Sequence, residues 1–332
     1  MVLKNQDATA MVYDRVKNSA ECTAAAGYYK LSFQAMSTVC RVHFRCLNPA
    51  QAREYQNEVL LWVSRFEATY SRFIESSLIS RINSAAGRDW VEIDPESEAL
   101  FNLCQEMIFF TRGVFDPTSL PLIRLWNWKA DPPVIPNASQ IQAAQKLVGW
   151  RKIQRRNGAI FLPQQGMSID LGGIGKEYAV DRVLTMALDR GIENVLVDFG
   201  NDVRVHGQPP DKVAWHIGLD DPKNPGTCWT GVAVKSHAVA SSGDYLRRFV
   251  HEGRRYGHII DPRDGYPVNN GVLSVSIIAP HCTFAGILST AAFVLGPRDG
   301  LELINLCPGV DGVITTETSR HPTKGFYAYA TR

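Results

Sequence analysis

No stretch of the sequence approaches the ~20 consecutive apolar residues of a membrane-spanning helix. The opening segment, MVLKNQDATAMVYDRVKNSAECTAAAGYYK, has no continuous apolar core of the kind an export signal carries. Charge of one sign is equally scarce. The 35 Lys and Arg against 33 Asp and Glu leave a formal net charge of +2, which is no nucleic-acid footprint. The short basic clusters, Arg254-Arg255 and Arg151-Lys152 with Arg155-Arg156, read as solvated surface. The seven cysteines (Cys22, Cys40, Cys46, Cys104, Cys228, Cys282, Cys307) are odd in number and include no C-x-x-C. A disulfide framework and a zinc knuckle are therefore not expected, and most of these thiols read as small buried apolar groups in a reducing compartment. Internal repeats and low-complexity tracts are also missing. The expectation is a cytoplasmic protein with no membrane span and no nucleic-acid partner.

What is present is the composition of a globular fold: 332 residues, 45% hydrophobic and 20% charged. Residues 1–27 are polar and weakly patterned, a loosely ordered lead-in, and 28–332 reads as a single domain. From 28 to 46 the pattern predicts two strands broken near Ala35-Met36-Ser37. A helix is expected from about 49 to 70, with Tyr55, Val59, Val63, Phe66 and Tyr70 as its buried stripe. Asp94-Pro95 caps a helix ending near Gly113. Residues 113–137, rich in Pro and Trp, read as an ordered loop with short helical pieces. A small helix fits 139–147, and strands fit 158–162 and 167–170. A longer helix fits 175–190, stopped by Gly191. Strands are expected at 194–200, in DVRVHG, and near 213–219, 231–240, 246–251 and 271–279. Thr283 is expected to cap a helix to about Leu295, followed by a shorter one over 297–306 and the strand DGVITT. Many strands with interspersed helices give an α+β fold, mostly antiparallel and more than one layer deep.

Four segments carry candidate chemistry. In YGHIIDPRDGYP (256–267), His258 and Asp261 stand where a strand gives way to a turn, a usual place for held catalytic groups. In SIDLGGIGKEYAVDRV (168–183), a strand, Asp170, a glycine turn and Lys176 lead into a helix. Glycines let backbone approach a ligand, and a helix N-terminus with a lysine suits an anion. An ordinary strand–turn–helix junction is the alternative. Position 170 is Asp and 177 is Glu, so it is no G-x-x-x-x-G-K-[ST] loop, and Tyr178 spoils G-x-G-x-x-G. In HCTFAGILSTAAFVLG (281–296), Gly286 and Thr290 share a helix face, while Ser289 and Thr290 can also bond back to their own backbone. Asp116-Pro117-Thr118, after Phe115, is a turn by default.

In order along the chain stand AMST (35–38), TYSRFIESSLISRIN (69–83), GVFDPT, DLGGIGKEYAVDR, VDFGNDVRVHG, SSGDY (241–245), GHIIDPRDGYPV and LSTAAFVLG. Together they resemble the FAD:protein FMN transferase (ApbE) family across about residues 28–316. The resemblance implies an ApbE-like, T-fold-related fold of mixed, mostly antiparallel sheets with flanking helices, in two lobes with the flavin between them. It implies a flavinyltransferase that cleaves FAD with Mg²⁺, joins FMN to a threonine (or serine) hydroxyl of an acceptor flavoprotein through a phosphoester, and releases AMP. Carried over by motif, Met36, Tyr70 and Val114-Phe115-Asp116 would meet the isoalloxazine and its linker. Asp170 and Lys176 would lie along the ribityl phosphate and adenosine, and Ile260 would line the pocket. His258 matches the base that takes the proton from the acceptor hydroxyl, a structural bond to a nearby backbone carbonyl being the alternative. Gly173, through its carbonyl, and Thr290 match metal ligands.

The sequence departs from that pattern at two positions. Where better-known members read A-D-A-L-S-T, with the aspartate a Mg²⁺ ligand, this chain reads Ala285-Gly286-Ile287-Leu288-Ser289-Thr290. Glu177 stands where many members carry glycine. Three outcomes follow: the metal is held mainly by FAD pyrophosphate and water; another acid (Asp244, Asp261 or Asp264) supplies the charge; or the protein binds flavin without transferring it. The alternatives to transfer are thus a Mg²⁺-dependent FAD pyrophosphatase and a non-catalytic FAD-binding protein. The chain has no acceptor-like D-G/S-x-T-G-A-T/S stretch of its own, and many family members are exported whereas this chain shows no export signal.

Overall fold

Residues 28–45 form the hairpin that their alternation predicts. In the computed structural model, which describes residues 2–127, 133–245 and 247–331 (of the side chains at 2–7 nothing is said), its arms are β2 (Tyr28–Ala35) and β3 (Thr38–Arg45). The two-residue turn between them, Met36-Ser37, has φ of +50° and +60°. Both values lie in the left-handed region that a tight hairpin demands and that glycine or asparagine normally supplies.

Around this hairpin grows a nine-stranded sheet, every neighbouring pair antiparallel. Its other strands are β1 (Glu21–Ala25), β7 (Val195–Phe199), β8 (Asp202–His206), β11 (Ala238–Gly243), β14 (Val272–Ala279), β15 (Asp311–Thr316) and β16 (Arg320–Pro322), in the order β1-β2-β3-β7-β8-β11-β14-β15-β16. Three smaller units accompany it: β4 (Val91–Glu92) and β5 (Gln154–Arg156) flanking β6 (Ala159–Phe161); β9 (Trp215–Asp220), β10 (Cys228–Val234) and β17 (Ala330–Thr331); and the hairpin β12 (Arg248–His251)–β13 (Arg254–Gly257). The run expected at 231–240 is thus two strands in two sheets.

Nine helices are seen among the described residues: α1 (Val2–Asn18), α2 (Pro49–Tyr70), α3 (Leu78–Ser84), α4 (Pro95–Phe110), α5 (Leu120–Leu125), α6 (Ala138–Gln145), α7 (Gly175–Leu188), α8 (Cys282–Leu295) and α9 (Pro297–Asn305). None is long and apolar enough to cross a membrane. Asn48 caps α2 by accepting from the amides of Ala50 and Gln51, with Pro49 in the first turn. The stripe Tyr55, Val59, Val63, Phe66 and Tyr70 is buried as expected.

The large sheet has a covered face on each side, which makes three layers. On one side Val42, Val197 and Val275 join α2, α7 and α8 in the main core. On the other, Val203, Val239 and Ile278 pack against Trp215, Val232 and Phe326 from the small β9–β10 layer. Strand β14 lies between the two, so all eight of its residues are buried, including Ser274 and Ser276 of the alternation that marks the segment as a strand. A satellite cluster of Leu122, Trp126, Ile141, Ala144, Tyr256 and Ile260 braces α5 and α6 against β13 and the loop after it.

Three expectations are corrected. The lead-in is not loose: α1 lays Val12 and Val16 into the core and Arg15 bonds Glu67 of α2 at 2.7 Å. Residues 167–170 are not a strand. The amide of Asn83 stands in for a strand neighbour, accepting from the N–H of Ile169 (2.7 Å) and donating to its carbonyl (2.9 Å). Thr283 does not cap α8, whose N-cap position is His281 without a side-chain bond. Instead the Asp181 carboxylate of α7 accepts from the amides of Cys282 and Thr283 and from the Thr283 hydroxyl, capping α8 from outside. Of the loop expected over 113–137, residues 128–132 lie outside the described residues, as does 246 of the strand expected at 246–251. The rest of the loop holds a short 3₁₀ turn at Pro117–Ser119 and α5.

Candidate active site

His258 follows the last residue of β13. Its amide donates to the Arg247 carbonyl (3.1 Å), Ile259 leans into the main core and Ile260 into the satellite cluster. The loop is fixed at its far end as well: Trp126 Nε1 donates to the Gly265 carbonyl at 2.8 Å, and Gly265, at φ +80°, lies where a Cβ would come within 2.6 Å of Ile141 Cγ2. Below it, Asp244 is fully buried against Gly257, so the SSGDY and GHIIDP motifs meet. The Nδ1 of His258 is buried with no hydrogen-bond partner. Burial, aided by the Arg247 charge, pushes the imidazole down to about 4. It is therefore neutral near pH 7 and has an open nitrogen.

A second group forms at the glycine turn. The Asp170 amide donates to the Pro117 carbonyl (2.9 Å), joining the 168–176 turn to the GVFDPT loop. A Cβ at Gly173 would sit 3.5 Å from the Phe115 ring. Asp170 accepts from Gly172 N (3.1 Å) and pairs with Arg72 Nε (3.0 Å), a residue that sequence reasoning missed. Phe66 stacks on Tyr178 and touches Tyr70, whose hydroxyl shares a hydrogen with Ser97 (2.8 Å). Phe66 and Tyr70 also wall a cleft of about 180 Å³, smaller than ligand pockets usually are. The strained Met36 turn joins the group through its amide, which donates to Glu67 Oε2 at 2.9 Å, one helical turn before Tyr70. Val114 and Phe115 are buried. The Asp116 carboxylate is committed to its own loop, accepting from Thr118 N and Oγ1 and from Trp150 N.

Lys176 is not a free charge. It pairs closely with Asp202 Oδ2 and stands 3.7 Å from Glu177 Oε1. Burial alone would lower its ammonium, but those two carboxylates outweigh burial and hold it above its ordinary value. Burial and the Glu177 charge in turn push Asp202 up to about 7.

The third group lies on α8. Ser289 donates to the Gly286 carbonyl (2.9 Å), the back-bond that its place in an apolar helix allowed. Ser242 of β11 lies 2.7 Å from Ser289 Oγ and 2.9 Å from Thr290 Oγ1. Each hydroxyl has one proton. With the Ser289 proton on Gly286, Ser242 must give its own to Ser289, and Thr290 must donate to Ser242. Thr290 Oγ1 then keeps lone pairs for a further partner.

The resemblance asked which acid replaces the carboxylate missing at 286. Asp261 is tied to Arg263 by four contacts of 2.7–3.1 Å, and Asp264 accepts from Tyr266 N. Asp244 faces Arg255 Nε at 3.4 Å, and burial raises its carboxyl. The acid that faces Gly286 is Glu177: a Cβ at 286 would meet its Cγ at 2.6 Å and its Cδ and Oε1 at 3.0 Å. Glu177 Oε2 is buried and has no hydrogen-bond partner. An unpartnered carboxylate oxygen and a free threonine oxygen are hard donors of the kind magnesium takes, so this donor set fits that ion.

Comparison with known proteins agrees with the motif order. Residues 36–314 match the ApbE family. The chain is 30% identical to the FAD:protein FMN transferase of Treponema pallidum over 305 residues, 86% of this chain and 83% of that one. It is 27% identical to the protein of the same name from Vibrio cholerae over 288 residues, 86% of each. The crystal structure of the ApbE protein of Thermotoga maritima superposes with a TM-score of 0.82 at 34% identity, covering 92% of this chain and 100% of that one.

Proposed function

The chain belongs to the ApbE family, and on that premise we propose that it is a flavinyltransferase, moving FMN from FAD onto a threonine or serine hydroxyl of an acceptor flavoprotein and releasing AMP. Relatives bearing the name FAD:protein FMN transferase support the reaction. The observation in this chain that carries it is His258: a neutral imidazole, its Nδ1 buried and unpartnered, on a loop fixed at both ends.

A hydroxyl attacks phosphorus poorly until a positioned base accepts its proton. In the proposed step the acceptor oxygen bonds to the FMN-side phosphorus, the bond from that phosphorus to the bridging oxygen breaks, and AMP departs with that oxygen. His258 takes the hydroxyl proton. Little covalent work falls to the protein, so rate comes from alignment and charge neutralisation. Met36, Tyr70 and the Val114–Asp116 segment would flank the flavin, with Asp116 shaping the loop rather than meeting the ligand through a free carboxylate. Asp170, oriented by Arg72, and the uncapped start of α7 would follow the phosphates. Ile260 would wall the pocket beside His258. Lys176 would act through its pairing with Asp202, as a fixed charge at the turn. Gly173 and Thr290 would hold Mg²⁺, which when bound neutralises pyrophosphate charge.

The test is incubation with FAD and Mg²⁺, with and without EDTA, followed by nucleotide analysis. AMP formation that EDTA abolishes is the expected result. FAD bound intact under all conditions would reduce the protein to a flavin binder.

A further inference from the structure

We infer that Glu177 supplies, from α7, the carboxylate that α8 lacks at Gly286, and that it is the anionic ligand of the divalent cation; this rests on the function proposed above. The two departures from the family pattern are then a single exchange. Without a Cβ, position 286 leaves a hollow in the α8 face, and Glu177 fills it. Its carboxylate carbon stands 3.0 Å from where a side chain at 286 would begin, so it occupies the region that an aspartate there would have reached.

Three further observations favour a ligand over a packing role. The Glu177 side chain is only 9% exposed, yet Oε2 has no hydrogen-bond partner; leaving such an oxygen unmatched is costly. Its neighbour Lys176 is committed to the closer pair with Asp202 and stands 3.7 Å from Glu177 Oε1, beyond hydrogen-bond reach. Thr290 lies one helical turn beyond Gly286 on the same face, and the proton count along Ser289, Ser242 and Thr290 leaves its oxygen free to coordinate. A hard cation would answer the unpaired oxygen.

The test measures Mn²⁺ binding to the full chain by electron paramagnetic resonance, with FAD present. It compares wild type, Glu177→Gln and the reciprocal exchange Glu177→Gly/Gly286→Asp. Flavin fluorescence and thermal unfolding confirm that each variant folds and binds FAD. Glu177→Gln is expected to weaken Mn²⁺ binding by about tenfold or more, and the exchange to restore it to within about threefold of wild type. A purely structural Glu177 would leave Mn²⁺ affinity unmoved. Wild-type affinity in Glu177→Gln, or no Mn²⁺ binding by wild type, overturns the inference. If Glu177→Gln fails to fold, the exchange variant decides: near-wild-type Mn²⁺ binding supports the inference, and its absence overturns it. The reading of the reaction fails separately, if wild type binds FAD and Mn²⁺ through Glu177 but releases no AMP.

Discussion

Asp244 lies directly beneath Gly257, its Oδ2 2.5 Å from the point at which a side chain at 257 would begin. The residue before His258 therefore has no room for a Cβ, and a fully buried carboxylate sets the height of the loop that presents the imidazole. Gly257→Ala must displace either Asp244, which Arg255 holds at 3.4 Å, or the His258 backbone. The expected cost is about 1–3 kcal/mol of stability, seen as a fall of a few degrees in Tm. FMN transfer should fall further than the residual folded fraction explains. A variant with unchanged Tm and transfer rate would contradict this placement.

The imidazole makes a pH prediction with a definite sign. Burial and Arg247 push His258 down to about 4 from its ordinary 6.5. Between those values the unfolded chain binds a proton there that the native state does not. His258 therefore costs native stability progressively as pH falls from about 6.5 towards 4, and costs none above that window. The His258 ring resonance in an NMR titration should have its midpoint near 4, and His258→Gln should flatten the loss of stability across the window. A midpoint near 6.5 would show the ring to be solvated.

The Asn83 side chain satisfies both backbone groups of Ile169. Asn83→Ala leaves a buried donor and acceptor unmatched, at about 1–3 kcal/mol for each group left without water. Because that segment carries Asp170 and the glycine turn, FAD affinity should fall together with Tm, by flavin fluorescence titration. Loss of Tm with FAD affinity intact would separate the turn from flavin binding.

Gly286→Ala runs against helix propensity, which favours alanine by about 1 kcal/mol. With the Glu177 side chain 2.6 Å from the new Cβ, it should instead destabilise by about 1–3 kcal/mol. The added Glu177→Gly change should relieve the clash. A stabilised Gly286→Ala protein, by chemical denaturation, would place Glu177 elsewhere.

What the sequence revealed follows from where each residue's partners lie. Helix α2 was readable because the stripe from Tyr55 to Tyr70 is a local signal; the structure adds Asn48 and Pro49 as its start. So was the break at Met36-Ser37. Strand β14 was readable because Leu273-Ser274-Val275-Ser276-Ile277 alternates, a local signal, although that alternation gives no sign that the serine face is buried too. The remaining features depend on distant partners. Segment 167–170 looks like a strand because its backbone is extended and buried, yet the group that pairs with it is a side chain 86 positions away. Thr283 looks like a cap, but the cap is Asp181 on another helix. Helix α1 looks loose because its buried residues, Val12 and Val16, are too few to make a pattern. Lys176 looks like a free phosphate-binding charge until β8 brings Asp202 to it. Glu177 and Gly286 each looked like an isolated oddity, and only their contact across α7 and α8 shows them to be complementary.

The most direct measurement is the mass of an acceptor after reaction. An acceptor domain bearing a D-G-x-T-G-A-T stretch, incubated with FAD, Mg²⁺ and the protein, should gain the mass of one FMN and keep flavin fluorescence through a denaturing gel, with one AMP released per acceptor modified. His258→Ala should bind FAD within a few-fold of wild type and lose transfer by about a hundredfold to ten-thousandfold. Transfer undiminished in His258→Ala, or FMN and AMP accumulating free while the acceptor stays unmodified, would contradict the account.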